Sequence, residues 1–291
     1  MKIVTLIENT DGGTGLHSEH GLSVYIETEK HKVLVDAGSS EKACENAKSL
    51  GIDLSMVDSL VLSHGHYDHS GGILPFTECN CKAHIYMQKS AGYDYVADHD
   101  EKEESDNKMQ YGGIDKIRYI GIDKKILSLP QLRALTMEEG EIYKIDDELQ
   151  IFSGIKGNRF SPKGNSKLYK LEDGQVKQDD FVHEECLAVF AEGKKLLFSG
   201  CAHNGIVNIL DRYKELYGCD PDYVFSGFHM MKDGEYDEED LAIIKGTAEE
   251  LKKKETVYYS GHCTSQAGFD ILKEILGEQL QYMHSGTIVN I

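Results

Sequence analysis

The sequence holds no apolar run near the roughly 18 residues that a membrane span needs, so a transmembrane protein is not expected. Proline is scarce, at four residues in 291, and the ordinary balance of apolar and charged residues excludes a collagen-like or disordered chain. Cations are the poorer sign: Lys plus Arg number 31 against 50 Asp plus Glu, a formal charge of −19. Such a surface repels phosphate backbones and anionic lipid. It argues against nucleic acid and membranes as main partners and favours solubility. The cysteines lack the even number and framework spacing of a disulfide-built domain. Seven thiols fit a reducing compartment, and a cytoplasmic protein is expected. Residues 1–8 carry a charge at Glu8 and read as a strand rather than a signal peptide.

Strand patterns cover residues 2–7, 22–28 and 32–36. Ser39 and Ser40 can cap a helix carrying Ala43, Cys44, Ala47 and Leu50 on one face. A short apolar strand, 59–63, runs straight into a histidine cluster, and 83–87 is another strand. The acidic run 98–106 reads as a solvated surface. Residues 150–170 gather Lys156, Arg159, Lys163, Lys167 and Lys170 among Gly, Asn and Ser. That basic island is either an exposed loop or a loop over the active site that holds an anionic group. The last third alternates clearly: strands at 187–191, 195–199, 223–226, 256–260 and 287–291, helices at 205–217, 238–254 and 266–276. Without a long linker or fixed repeat, the chain reads as one domain over 1–291, with a variable insert at roughly 90–180. Sheets lie inside and helices outside.

The chemistry concentrates in Ser63-His64-Gly65-His66-Tyr67-Asp68-His69-Ser70-Gly71-Gly72. In extended backbone, residues i and i+2 point to one side, so His64 and His66 can face one ion together. Asp68 and His69 follow and can face a second ion or a bound water. Imidazole and carboxylate suit zinc first, then iron or manganese. Gly65 removes bulk between ligands, and Gly71-Gly72 lets the chain turn away.

This segment resembles the signature of the metallo-β-lactamase superfamily. Val33-Leu34-Val35-Asp36-Ala37-Gly38, Leu196-Leu197-Phe198-Ser199-Gly200 and Gly261-His262 resemble its other strand-end motifs. Glu19-His20-Gly21-Leu22-Ser23, the segment from Ser199 to Asn208, Gly227-Phe228-His229 and His262-Cys263-Thr264 narrow the likeness to one branch. That branch is the 7,8-dihydropterin-6-methyl-4-(β-D-ribofuranosyl)aminobenzene-5′-phosphate synthase-like group. The resemblance implies a four-layer αβ/βα sandwich with metal at the sheet edges. It does not imply the named reaction.

By the same resemblance, His64 and His66 belong to a first metal site, and Asp68, His69 and His262 to a second. The first site needs a third histidine, which His203 or His183 can supply; His203 fits the branch pattern better. Cys201 stands where most dinuclear members carry a bridging aspartate. It reads either as a thiolate ligand or as a small buried side chain. His229 and, more weakly, His20 are further candidates for a ligand or substrate contact, and Arg159 for a substrate phosphate. Cys79 and Cys81 read as turn thiols. His17, His31, His84, His99 and His284 receive no role.

The expected function is that of a metal-dependent hydrolase holding one or two divalent ions. Neutral histidines on the metal lower the pKa of bound water to about 7, and the hydroxide attacks an ester, amide or phosphoester of a small molecule. Asp68 orients the water and moves its proton. The alternative is a transferase that releases pyrophosphate, and a further one is a non-catalytic metal-binding module. A di-iron redox centre is disfavoured, because His66 stands where such relatives carry glutamate and no flavin domain follows.

Overall fold

The computed structural model describes residues 1–98, 109–111, 114–137, 141–172, 174–232 and 234–291. Most of the acidic run, with His99, lies outside these residues. Two seven-stranded sheets form the body. The N-terminal sheet runs Ile288–Asn290, Lys2–Ile7, Ser23–Glu27, Lys32–Val35, Ser59–Val61, His84–Gln88 and Leu132–Leu135 in spatial order. The C-terminal sheet runs Ile142–Lys144, Leu149–Phe152, Cys186–Ala191, Lys194–Phe198, Tyr223–Phe225, Val257–Ser260 and Leu280–Tyr282.

Strand alternation builds the layers. Ile3, Val24, Ile26, Val33, Val35 and Val61 pack against Leu187, Val189, Leu196, Phe198 and Phe225, sealing sheet to sheet. Their neighbours Val4, Tyr25, Leu34 and Leu60 point the other way, onto Ala43, Ala47 and Phe76 of helices Lys42–Ser49 and Ile73–Cys79. In the second sheet, Ala188, Leu197, Val224 and Tyr258 face helices Ile206–Tyr217, Glu238–Lys252 and Gln266–Leu276. A period of two thus serves two apolar interfaces at once, which is why these strands read as nearly continuous apolar runs. The result is the expected αβ/βα sandwich.

Two expectations change. The span 90–180 is not one insert. Its ends, Asp94–Asp98, Met109–Tyr111, Ile114–Tyr119, Leu168–Glu172 and Gln175–Gln178, form a separate five-stranded sheet. Its middle returns to the body: Leu132–Leu135 and Ile142–Lys144 are edge strands of the two large sheets, and Leu149–Phe152 pairs with Cys186–Ala191. The capping expectation holds only for Ser40, whose Oγ accepts the Lys42 amide at 3.3 Å; the residue at the helix boundary is Glu41, with no side-chain bond. Both serine amides donate to Glu19 Oε1 at 3.0 Å, which anchors the turn before the helix.

Within each sheet the central strands are parallel: Lys32–Val35 with Ser59–Val61, and Lys194–Phe198 with Tyr223–Phe225 and Val257–Ser260. Their C-terminal ends therefore open onto one edge, and the loops leaving them carry the chemistry-bearing side chains.

Candidate metal centre

His64 lies just past Ser59–Val61, and His66 caps the short helix Tyr67–Ser70 that carries Asp68 and His69. Cys201 and His203 follow Lys194–Phe198, His229 follows Tyr223–Phe225, and His262 follows Val257–Ser260. Ala202, His229 and His262 have φ of 52°, 48° and 52°. Left-handed backbone at such residues marks turns that the surroundings hold under strain, a common device for aiming functional side chains. Gly200 is required here, since a Cβ would lie 2.1 Å from Ser63 Oγ. Gly72 is required for the same reason: a Cβ would meet the Ala37 carbonyl at 2.0 Å.

Hydrogen bonds fix which nitrogen of each ring is free. Ser63 Oγ donates to Asp36 Oδ2 at 2.8 Å, so the 2.9 Å contact between Ser63 Oγ and His64 Nδ1 has the ring as donor. His203 Nδ1 donates to Asn165 Oδ1 at 3.0 Å, and its ring stacks on Phe181 at 4.5 Å. Both Nε2 lone pairs then face each other across 3.3 Å. Two nitrogens held at zinc–nitrogen distance by one tetrahedral ion lie about 3.3 Å apart, so the pair has the spacing of two ligands of one cation. Cys201 Sγ falls in the same cluster. The His66 ring lies 4.5 Å from that of His64 and 5.0 Å from that of His203, with a buried Nε2 that has no hydrogen-bond partner, but its donor atom clusters with those of Asp179 and His183.

His183, the rival third ligand, has both nitrogens engaged. Nδ1 accepts the Gly65 amide at 2.9 Å, which leaves Nε2 as donor to Asp179 Oδ2 at 3.0 Å. It braces the Gly65 backbone between two ligands rather than offering a lone pair.

The second group is Asp68, His69, Cys201 and His262, all buried, with one donor atom from each within 4.8 Å of the others. His69 Nδ1 donates to Asp36 Oδ2 at 2.6 Å, and Nε2 sits 3.2 Å from Cys201 Sγ. His262 Nδ1 donates to Asn9 Oδ1 at 2.9 Å, leaving Nε2 3.3 Å from Asp68 Oδ2. His20, 40% exposed at its side chain, reaches the same Asp68 oxygen at 3.3 Å. Four such donors, the Cys201 sulfur among them, are a set that suits a tetrahedral ion.

Electrostatics agree for the first group; in the second, burial opposes charge on His69 but Asp36 and Asp68 outweigh it and raise its pKa. Burial, reinforced by neighbouring imidazoles, pushes His64 and His203 well below their ordinary pKa, and burial brings His66 down to about 3. All three are thus neutral at physiological pH, the form that ligates. Burial alone would raise the Asp68 carboxyl, but His69, His20 and His262 hold it well below the carboxylate range.

The basic island finds local acids. Arg159 pairs with Asp211 at 2.8 Å and Glu250 at 2.7 Å, tying two helices together. Lys163 pairs with Glu239 at 2.8 Å and Asp237 at 3.1 Å, and Lys170 with Asp180 at 2.7 Å. Arg159, the expected contact to a substrate phosphate, is engaged here in this surface tie. The loop does reach the centre, through Asn165 on His203 and through Gly164 beside His229. Sequence reasoning gave no role to Asp36, Asn9, Asn165 or Asp179 as partners of the histidines. Only Asp36 carried a signal, its place at the end of a strand.

The sequence profile of the metallo-beta-lactamase superfamily matches residues 19–262. The chain belongs to this superfamily. A curated relative from Methanocaldococcus jannaschii, named 7,8-dihydropterin-6-methyl-4-(beta-D-ribofuranosyl)-aminobenzene-5′-phosphate synthase, is 30% identical over 99% of this chain and 96% of its own length. An uncharacterized protein of the same organism is 27% identical over 99% of this chain and 100% of its own. Among solved structures, Tm1679, described as a metal-dependent hydrolase of the β-lactamase superfamily, superposes with a TM-score of 0.80 at 25% identity. The alignment covers 100% of this chain and 99% of that one. For a metallo-β-lactamase-type sandwich, metal between the two sheet edges is the expected arrangement, and the donor clusters lie there.

Proposed function

We propose that this chain is a metal-dependent hydrolase acting on an ester, amide or phosphoester of a small molecule, soluble in the cytoplasm and loaded with one or two divalent ions, zinc first among them. The observation that carries the reading is the 3.3 Å approach of His64 Nε2 and His203 Nε2, each with its other nitrogen pinned as a donor. His64, His66 and His203 would hold one ion, and Asp68, His69, Cys201 and His262 the other. When bound, the metal supplies Lewis acidity to the substrate oxygen and to the attacking water.

The chain's own residues do the rest. Asp36 and Asn165 keep the ligand imidazoles in one tautomer. The Asp68 carboxylate, held ionised by three histidines, takes the proton of the attacking water and passes it to the leaving group. His20, partly exposed, lies against the same Asp68 oxygen and helps to orient that carboxylate.

A transfer reaction is the second reading, supported by the relative named as a synthase. There the same centre would bind a pyrophosphate leaving group while an organic nucleophile displaces it. The deciding experiment screens zinc- or manganese-loaded protein on phosphodiester, lactone and thioester substrates, with Asp68→Asn as control. Hydrolysis that Asp68→Asn lowers by about 100-fold or more supports the first reading. Pyrophosphate release that needs a second organic substrate moves the assignment to the second. Equal metal content in wild type and a His64→Ala/His66→Ala double variant would remove both.

A further inference from the structure

Cys263 and His229 have no place in either ligand set. Cys263 is buried, and its sulfur accepts the His229 backbone amide at 3.3 Å. The strand end at Gly227 has no room for a side chain because a Cβ would lie 2.4 Å from that sulfur. Both ring nitrogens of His229 are buried without a hydrogen-bond partner, although its ring stands 4.2 Å from that of His203. Two buried imidazole nitrogens with no partner are costly unless something else satisfies them. One His229 nitrogen, Cys263 Sγ and Cys201 Sγ all lie within 4.8 Å of one another.

We propose that Cys201, Cys263 and His229 form a third metal position, a thiolate-and-imidazole one that takes a thiophilic divalent ion such as zinc or cadmium. Two sulfurs and one nitrogen are a known tetrahedral donor set with an open fourth corner. Sulfurs on one tetrahedral ion lie about 3.7 Å apart, so only small side-chain movement closes the set. Soft sulfur pairs select such ions over magnesium or calcium. His229 also borders a cavity of about 470 Å³ shared with Gly164, Met230, Met231 and Tyr236.

Cys201 belongs also to the second ligand group. An ion at the new position therefore shares or withdraws the sulfur from the ion beside Asp68, His69 and His262. The position follows from the donors alone and does not depend on which reaction the centre catalyses.

Cadmium NMR on the full-length protein loaded with cadmium tests this, since the resonance position reports the number of sulfur ligands. If Cys201 is the sole sulfur ligand, every cadmium sees at most one sulfur. The expected spectrum holds a resonance in the two-sulfur range that disappears in Cys263→Ser and shifts in His229→Gln. A wild-type spectrum with one-sulfur resonances only would overturn the proposal, and this needs no variant to fold. A two-sulfur resonance that survives Cys263→Ser would overturn it as well.

Discussion

Asp36 Oδ2 accepts both the Nδ1 proton of His69, at 2.6 Å, and the Ser63 hydroxyl, at 2.8 Å. One buried carboxylate therefore sets the tautomer of a ligand in each proposed metal site, directly for His69 and through Ser63 for His64. Asp36→Asn places an amide donor against these donors and turns a protonated His69 nitrogen toward the second site. Its zinc affinity should fall by about 10–100-fold, the usual cost of losing such a partner. Chelator competition on wild type and variant measures it, and unchanged affinity would show that His69 does not ligate.

His203→Ala should weaken first-site metal binding far more than His183→Gln. His203 offers a free Nε2, whereas both nitrogens of His183 are spent on Gly65 and Asp179. The reverse order in the same competition would return the ligand role to His183.

Arg159→Ala should leave binding of phosphate and pyrophosphate unchanged by calorimetry. Its side chain is 44% exposed, and its guanidinium is engaged with Asp211 and Glu250. The stability cost should be about 0.5 kcal/mol and shrink with salt, as for other exposed pairs. A clear drop in anion affinity would restore the phosphate-binding role.

His31 links the sheets at the opposite rim. Its ring bonds Asp58 at 3.2 Å and Asp146 at 2.8 Å. Burial opposes the charged ring, but these two carboxylates outweigh it and raise its pKa above 6.5. The stabilisation is fully present below the unfolded value and is lost as pH rises through the higher folded value. His31→Gln should cost about 1 kcal/mol at pH 6, allowing for partial exposure of the acids. Thermal melts of the two proteins should converge above the folded pKa. A gap that stays constant with pH would assign the loss to packing.

The proposed ligands nearest in sequence were the legible ones. His64, His66, Asp68 and His69 fall within six residues after an apolar strand, so local geometry alone implies convergence. His203 and His262 needed a motif as well as a strand end. Asn9 and Asn165 were illegible because they meet their histidines across 253 and 38 residues, and nothing local distinguishes them from other surface amides. The basic island misled because the acids that pair with Arg159 and Lys163 lie well removed along the chain, at Asp211, Asp237, Glu239 and Glu250. The insert misled because edge strands at Leu132–Leu135 and Ile142–Lys144 are short, and partner strands elsewhere decide their pairing.

Every proposed metal donor sits beyond the last paired residue of a strand or on the turn that follows it. None of these side chains fills the seam between the sheets, where Leu187, Val189, Leu196 and Phe198 meet their partners. Exchanging one donor for another, as sulfur for carboxylate at Cys201, leaves the buried apolar contacts untouched. The scaffold is thus permissive toward changes of reactivity: a lineage built on it can wander among metals and substrates by single substitutions at the rim, at little risk to folding.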